Sequence, residues 1–117
     1  MKKSAAFYCK HFGFQTTGVV NEGLIELKAP SGGADILLHQ AAKGVKLGQV
    51  GVKLSFQVRD VEAFKLQAAS NGLKFGATHQ ANGYSFANTK DTDKNSVSIS
   101  SRAFRSLGSD ANNIDAA

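Results

Sequence analysis

An Ala-Phe pair in a short helical segment, a glycine stop and three strand-like runs occur twice along this chain in the same order. That repetition constrains the fold more than any single motif, because each copy should build a similar supersecondary unit. In the first copy Ser4 is a candidate N-cap and Gly13 the stop. Ala5, Tyr8, Cys9 and Phe12 fall at i, i+3, i+4 and i+7, the spacing of one helix face. Strand-like runs are expected at 14–20, 24–29 and 35–40, divided by Asn21-Glu22-Gly23 and Pro30-Ser31-Gly32-Gly33. In the second copy Asp60 caps a helix whose Val61, Phe64 and Ala68 share a face and which Asn71-Gly72 ends. Strands are expected again at 73–77, 84–89 and 95–101.

One strand has no counterpart. The run 50–58 precedes the second helix, and in it Val52, Leu54, Phe56 and Val58 alternate with Gly51, Lys53, Ser55 and Gln57. Its apolar face is expected to meet the helices. No such run precedes the first helix, where Met1 sits almost at the helix itself. The expected organisation is one domain over 1–101, with module one at 1–40, a linker at 41–49 and module two at 50–101. A frayed tail follows over 102–117, with room for a short helix around 103–107.

The chain has 117 residues, enough for one core and too few for two independent domains. With 42% hydrophobic and 20% charged residues it has the composition of a packed globular protein. Neither a membrane span nor a secretory signal is legible, so a cytoplasmic protein without a membrane partner is expected. Cys9 is the only cysteine, which excludes an intrachain disulfide. The formal charge of +5 favours anionic partners. Because the basic residues are scattered and not interleaved with aromatics on one strand face, nucleic acid is not expected among them.

Four segments, in order, resemble the vicinal-oxygen-chelate superfamily, which holds glyoxalases, bleomycin-resistance proteins and extradiol dioxygenases. Lys3-Ser4-Ala5-Ala6-Phe7-Tyr8 with Phe12-Gly13-Phe14 resembles the family's opening helix. Residues 23–30 with Ile36-Leu37-Leu38-His39 resemble the third and fourth strands of its first module. Residues 52–64 resemble the second module's strand and helix, and Asp91-Thr92-Asp93-Lys94-Asn95 the turn before the last strand. The resemblance implies an α+β fold of two βαβββ modules, here with the first strand of module one missing. They would form a half-open curled sheet with helices outside and a ligand cavity on the concave face. Lys53, Ser55, Gln57, Ser96, Ser98 and Ser100 would then face the cavity, although a one-sided sheet would turn the same residues to water.

Many members of the family hold a divalent metal on His, Glu or Gln side chains. By resemblance, the positions here are Leu37, Lys53 and Ser98, with the first strand's position absent. None is a usual ligand, and a protonated lysine repels a cation. No metal and no other cofactor is therefore expected. His39 shares a strand face with Leu37 and is a further candidate, with Glu26 its nearest acidic neighbour. His11 lies near a helix C-terminus and His79 in a loop-like stretch, and Cys9 has no visible base to activate it. No phosphate-binding glycine loop is present.

The expected function is that of a metal-free small-molecule-binding protein of the bleomycin-resistance or glyoxalase-like type. Its candidate ligand-binding residues are Lys53, Ser55, Gln57, Ser98 and His39, and its ligand is neutral or anionic, since bleomycin-type cations suit a basic chain poorly. Lys53 is open to three roles: a solvated surface lysine, an anion-binding group or a Schiff-base nucleophile. The alternative function is a metal-dependent lyase, isomerase or dioxygenase using His39, Glu26 or an unseen first strand. Catalytic residues are not identifiable. An unpaired sheet edge in module one would be covered most simply by a homodimer.

Overall fold

The computed structural model describes residues 1–49 and 52–106. Its elements run α1 (Lys2–Phe12), β1 (Leu24–Leu27), β2 (Ile36–His39), β3 (Lys53–Gln57), α2 (Val61–Ser70), β4 (His79–Gln80), β5 (Ser85–Lys90) and β6 (Ser96–Ser100). A 3-10 turn follows at Arg102–Phe104.

Both helices end where the sequence directs. Gly13 closes α1 in the left-handed conformation at φ 75°, with its N–H on the Cys9 carbonyl and the Phe14 N–H on that of Tyr8. Asp60 caps α2, its Oδ1 accepting the Ala63 N–H at 3.0 Å. Ser4 does not cap α1. The helix starts at Lys2, and Ser4 lies buried within it, donating to Asp93 Oδ2 at 2.7 Å.

The strands form two sheets, and neither closes into a barrel. β1 and β2 pair antiparallel. The larger sheet has the order β3-β6-β5-β4, with β3 parallel to β6 and the other pairs antiparallel. The core lies between the sheets and the helices, where Ile25, Leu27, Ala87, Val97 and Ile99 are fully buried. Phe12 of α1 stacks on Phe56 of β3 at 4.3 Å and on Phe64 of α2 at 5.7 Å, so one ring joins three elements.

The expected strand at 14–20 reduces to a single bridge, in which Gln15 exchanges backbone hydrogen bonds with Lys28. The run 73–77 is not a strand. Leu73 and Phe75 are buried in the core instead, and ladder pairing with β5 is confined to His79–Gln80, preceded by a single Gly76 N–H bond to the Asn88 carbonyl. The apolar face of β3 is only partly covered: Phe56 packs under α1, while Val52 and Leu54 remain 61% and 36% exposed. These two lie at the open edge of the sheet, because among the described residues β3 pairs only with β6. The free edge of β2 likewise has no strand partner among the described residues. Val50, Gly51 and the tail beyond Ser106 lie outside the described residues. No described helix is long and apolar enough to cross a membrane.

Candidate functional site

Strand alternation sorts the larger sheet into two faces. Because Val97 and Ile99 of β6 point to the core, Ser96, Ser98 and Ser100 point away from it. The pairing register then aligns three rows across the outer face. Lys53, Ser96 and Lys90 form the first row, and Ser55, Ser98 and Asn88 the second. Gln57, Ser100, Phe86 and His79 form the third.

The result is a trough. Its floor is the serine strand β6, and its walls are the longer side chains of β3 and β5. Ser98 and Ser100 are only 4% and 6% exposed although they face away from the core, since the flanking side chains lean over them. Lys53 Nζ donates to Asn88 Oδ1 at 3.2 Å, reaching over the central strand, and Lys90 Nζ donates to Ser96 Oγ at 2.8 Å. At the opposite end Gln57 Oε1 accepts the Ala103 N–H at 2.9 Å, bringing the 3-10 turn against the trough. There Phe86 lies 5.0 Å from the His79 ring and 6.3 Å from that of Tyr84. The guanidinium groups of Arg102 and Arg105 sit 5.5 and 5.6 Å from the Tyr84 ring centre.

Charge in this region has one sign. The three rows contain no carboxylate, and the only ion pairs among the described residues join Lys28 to Glu26 and Asp35. Lys53, Lys90, Arg102 and Arg105 thus have no carboxylate partner among the described residues, around a floor of hydroxyls. Such an arrangement attracts anions from solution and offers them hydrogen-bond donors.

Of the five residues expected at the site, the structure brings Lys53, Ser55, Gln57 and Ser98 onto this face. Ser98 is a floor residue whose hydroxyl donates to the Ala87 carbonyl at 3.1 Å. His39 is elsewhere. It sits on β2 with Nδ1 2.9 Å from the Gln40 carbonyl and lines a cleft of about 500 Å³ between β2, the start of α1 and β3. Glu26 does not join it. Its register partner is Leu37, two pairs removed from His39, and Lys28 holds it at 2.7 Å. The Lys28 ammonium is in turn pushed above its usual range by Glu26 and then Asp35. A second cavity of about 800 Å³, lined by Thr16, Leu24, Glu26 and Leu37, opens on the face of β1 and β2. Sequence reasoning missed Phe86, Asn88 and Lys90 as trough residues. Their alternation with Ala87 and Thr89 was the available signal, blurred because Thr89 is polar yet faces inward, donating to the Lys74 carbonyl.

The sequence pattern of the Glyoxalase/Bleomycin resistance protein/Dioxygenase superfamily matches residues 1–99. The chain belongs to that superfamily. Solved members share its fold. TnmS3, an antibiotic binding protein from Streptomyces sp. CB03234, superposes with a TM-score of 0.67 at 17% identity, over 83% of this chain and 82% of the other. A lactoylglutathione lyase from Agrobacterium tumefaciens gives a TM-score of 0.63 at 22% identity, over 84% and 82%. A superfamily member from Sphaerobacter thermophilus gives 0.66 at 18%, over 84% and 85%. No curated protein matches the chain in sequence.

The metal that many superfamily members hold does not fit the residues here. An alkyl group, an ammonium and a hydroxyl already bonded to a carbonyl stand at Leu37, Lys53 and Ser98, and none is a good donor to a divalent ion. Among the described residues no three His, Cys, Asp or Glu side chains converge on a possible metal site.

Proposed function

We propose that the chain is a metal-independent small-molecule-binding protein whose ligand, neutral or anionic, lies in the trough over β6. The observation that carries this reading is the set of four cations with no carboxylate partner among the described residues, around a carboxylate-free, hydroxyl-lined floor. Lys53 is central to it, because its present acceptor is a neutral amide at 3.2 Å. An anion would offer a stronger acceptor within reach of the same side chain. Ser55 and Gln57 supply flanking polar groups, and Ser98 supplies the depth that a larger side chain would fill. The structural likeness to an antibiotic binding protein supports binding alone as the activity. We further propose a homodimer in which a second copy covers the free edges of β2 and β3.

A ligand screen by thermal shift, repeated with zinc, nickel, manganese and iron(II), tests the proposal. Stabilisation by neutral or anionic compounds, reduced by Lys53→Gln and indifferent to metal, is expected. Stoichiometric bound metal, or a metal-dependent rise in melting temperature that His39→Ala removes, overturns the reading in favour of a metal-dependent lyase, isomerase or dioxygenase.

A further inference from the structure

We infer that the trough selects an elongated aromatic anion, with its ring at the Phe86 end and its acid group at the Lys53 end. The inference rests on the proposed binding role of this face and names the ligand class. Two different chemistries occupy the two ends of the same three rows. The first row carries the ammonium groups of Lys53 and Lys90. The third carries the rings of Phe86 and His79, whose centres are 5.0 Å apart and tilted by only 31°. These partly exposed rings present a flat apolar surface outside the core, and Tyr84 extends it.

Geometry sets the ligand's length. Ser96 and Ser100 on β6 mark the two end rows, and four residues of strand span roughly 13 Å. Lys53 leans along the strands to Asn88 in the middle row, so its ammonium lies about two strand residues, roughly 7 Å, from the Phe86 row, and an acid group at about that distance from the ring centre reaches it. The guanidinium groups of Arg102 and Arg105 over Tyr84 add positive potential beside the aromatic end. Arg105 Nε is buried and has no hydrogen-bond partner among the described residues, so a donor is left unspent there. Positive charge at both ends disfavours cationic ligands throughout the trough. The floor between the ends is serine, over which Lys53 and Asn88 now meet, so a flat body lying along β6 takes the place of that contact.

The inference separates ring from charge, and so does its test. Binding of para-phenylbenzoate, its uncharged amide and its saturated bicyclohexyl counterpart would be measured by calorimetry on the whole chain and mapped by amide chemical shifts. The acid should shift residues of β3, β5 and β6. The amide should bind roughly tenfold more weakly, the loss of one charge-assisted hydrogen bond. The saturated acid should bind about three- to tenfold more weakly, the loss of ring packing on Phe86. Lys53→Gln should erase the difference between acid and amide, Phe86→Leu the difference between flat and saturated acids, and Lys43→Gln on the distant loop should erase neither. If Phe86→Leu unfolds, His79→Leu carries the same comparison.

Equal binding of acid and amide, or of flat and saturated acids, overturns the inference. In that event a neutral or aliphatic compound that still maps to the trough leaves the binding role intact. Failure of every compound, including those of the broad screen, overturns both.

Discussion

Tyr8 Oη donates a 2.6 Å hydrogen bond to Asp91 Oδ2, tying the first helix to the turn before the last strand across 83 residues of sequence. The carboxylate is heavily engaged. Its Oδ1 accepts the N–H groups of Asp93 and Asn95, and its Oδ2 also accepts Asn95 Nδ2. Ser4 adds a parallel link to Asp93. Asp91 therefore both shapes its own turn and anchors α1, which explains how a charged residue only 7% exposed is tolerated.

Tyr8→Phe should destabilise the fold by about 1–3 kcal/mol, since it removes a buried bond to a charged acceptor and leaves the packing of the ring. The same variant should alter the alkaline limb. Burial, followed by the bond to Asp91 and the charges of Asp91 and Asp93, pushes the Tyr8 phenol well above its ordinary value. Above pH ~10 the unfolded chain loses this proton while the folded chain keeps it, so stability falls as pH rises from there. Urea titrations at pH 8 and pH 11 should show a smaller loss for Tyr8→Phe than for the parent. An equal loss in both would mean that another group governs the alkaline limb.

Where the sequence speaks through short-range patterns, it was legible. Gly13, Asp60 and the alternation of β3 and β6 gave the helix ends and the sheet faces, because caps and pleats are decided within a few residues. The second half keeps the expected order of a strand, a helix and three strands, although its β4 lies at His79–Gln80 and not at 73–77. Long-range competition obscured the rest. Leu73 and Phe75 look like strand residues but serve the core under the helices, and Ser4 looks like a cap but bonds to a turn 89 residues away. The trough was visible only from the β3 and β6 side. His39 shares a strand face with Leu37 that the pattern alone assigns to the same cavity, yet it lines a separate cleft, because sequence carries no measure of the gap between two sheets.

His11 sits 5.0 Å from the Phe7 ring, and its buried Nδ1 has no hydrogen-bond partner among the described residues. Burial and then the neighbouring Lys10 hold its pKa below the usual imidazole value. The folded state thus prefers the neutral ring. This preference is harmless above pH ~6.5 and costs stability as pH falls below that value, where the unfolded chain takes up a proton first. His11→Leu should leave stability at pH 8 equal or higher and flatten its decline between pH 6.5 and 5. A decline as steep as the parent's would assign the acid sensitivity elsewhere.

Two loop glycines allow a comparison of conformation with space. Gly44 and Gly48 both have positive φ, at 88° and 80°. A Cβ at Gly44 meets nothing within 4 Å, whereas at Gly48 it falls 2.9 Å from Lys94 Cβ and 3.1 Å from the Lys94 carbonyl oxygen. Alanine at either position bears a left-handed backbone penalty of about 1–2 kcal/mol. Gly48→Ala should be worse by about a further 1–3 kcal/mol, because backbone must shift to admit the methyl group. Equal melting temperatures for the two variants would show that loop 41–49 does not pack on the turn at Lys94.

Some of the exposed apolar residues lie beside the open strand edges. Leu37 is 59% exposed on β2, and Val52 is 61% exposed beside the free edge of β3. Open edges pair readily with other strands, and apolar side chains around them add burial to that pairing. If a second copy covers them, a charge at this seam should act on association and not on folding. Val52→Lys should therefore shift the sedimentation coefficient from dimer to monomer. Its effect on melting at low concentration should be within about 0.5 kcal/mol, as for other surface substitutions. Leu66→Lys, at a site 75% exposed on α2, is the matched control and should leave the assembly unchanged. A parent that sediments as a monomer at every concentration, or a Val52→Lys protein that remains a dimer, would place the interface away from these edges.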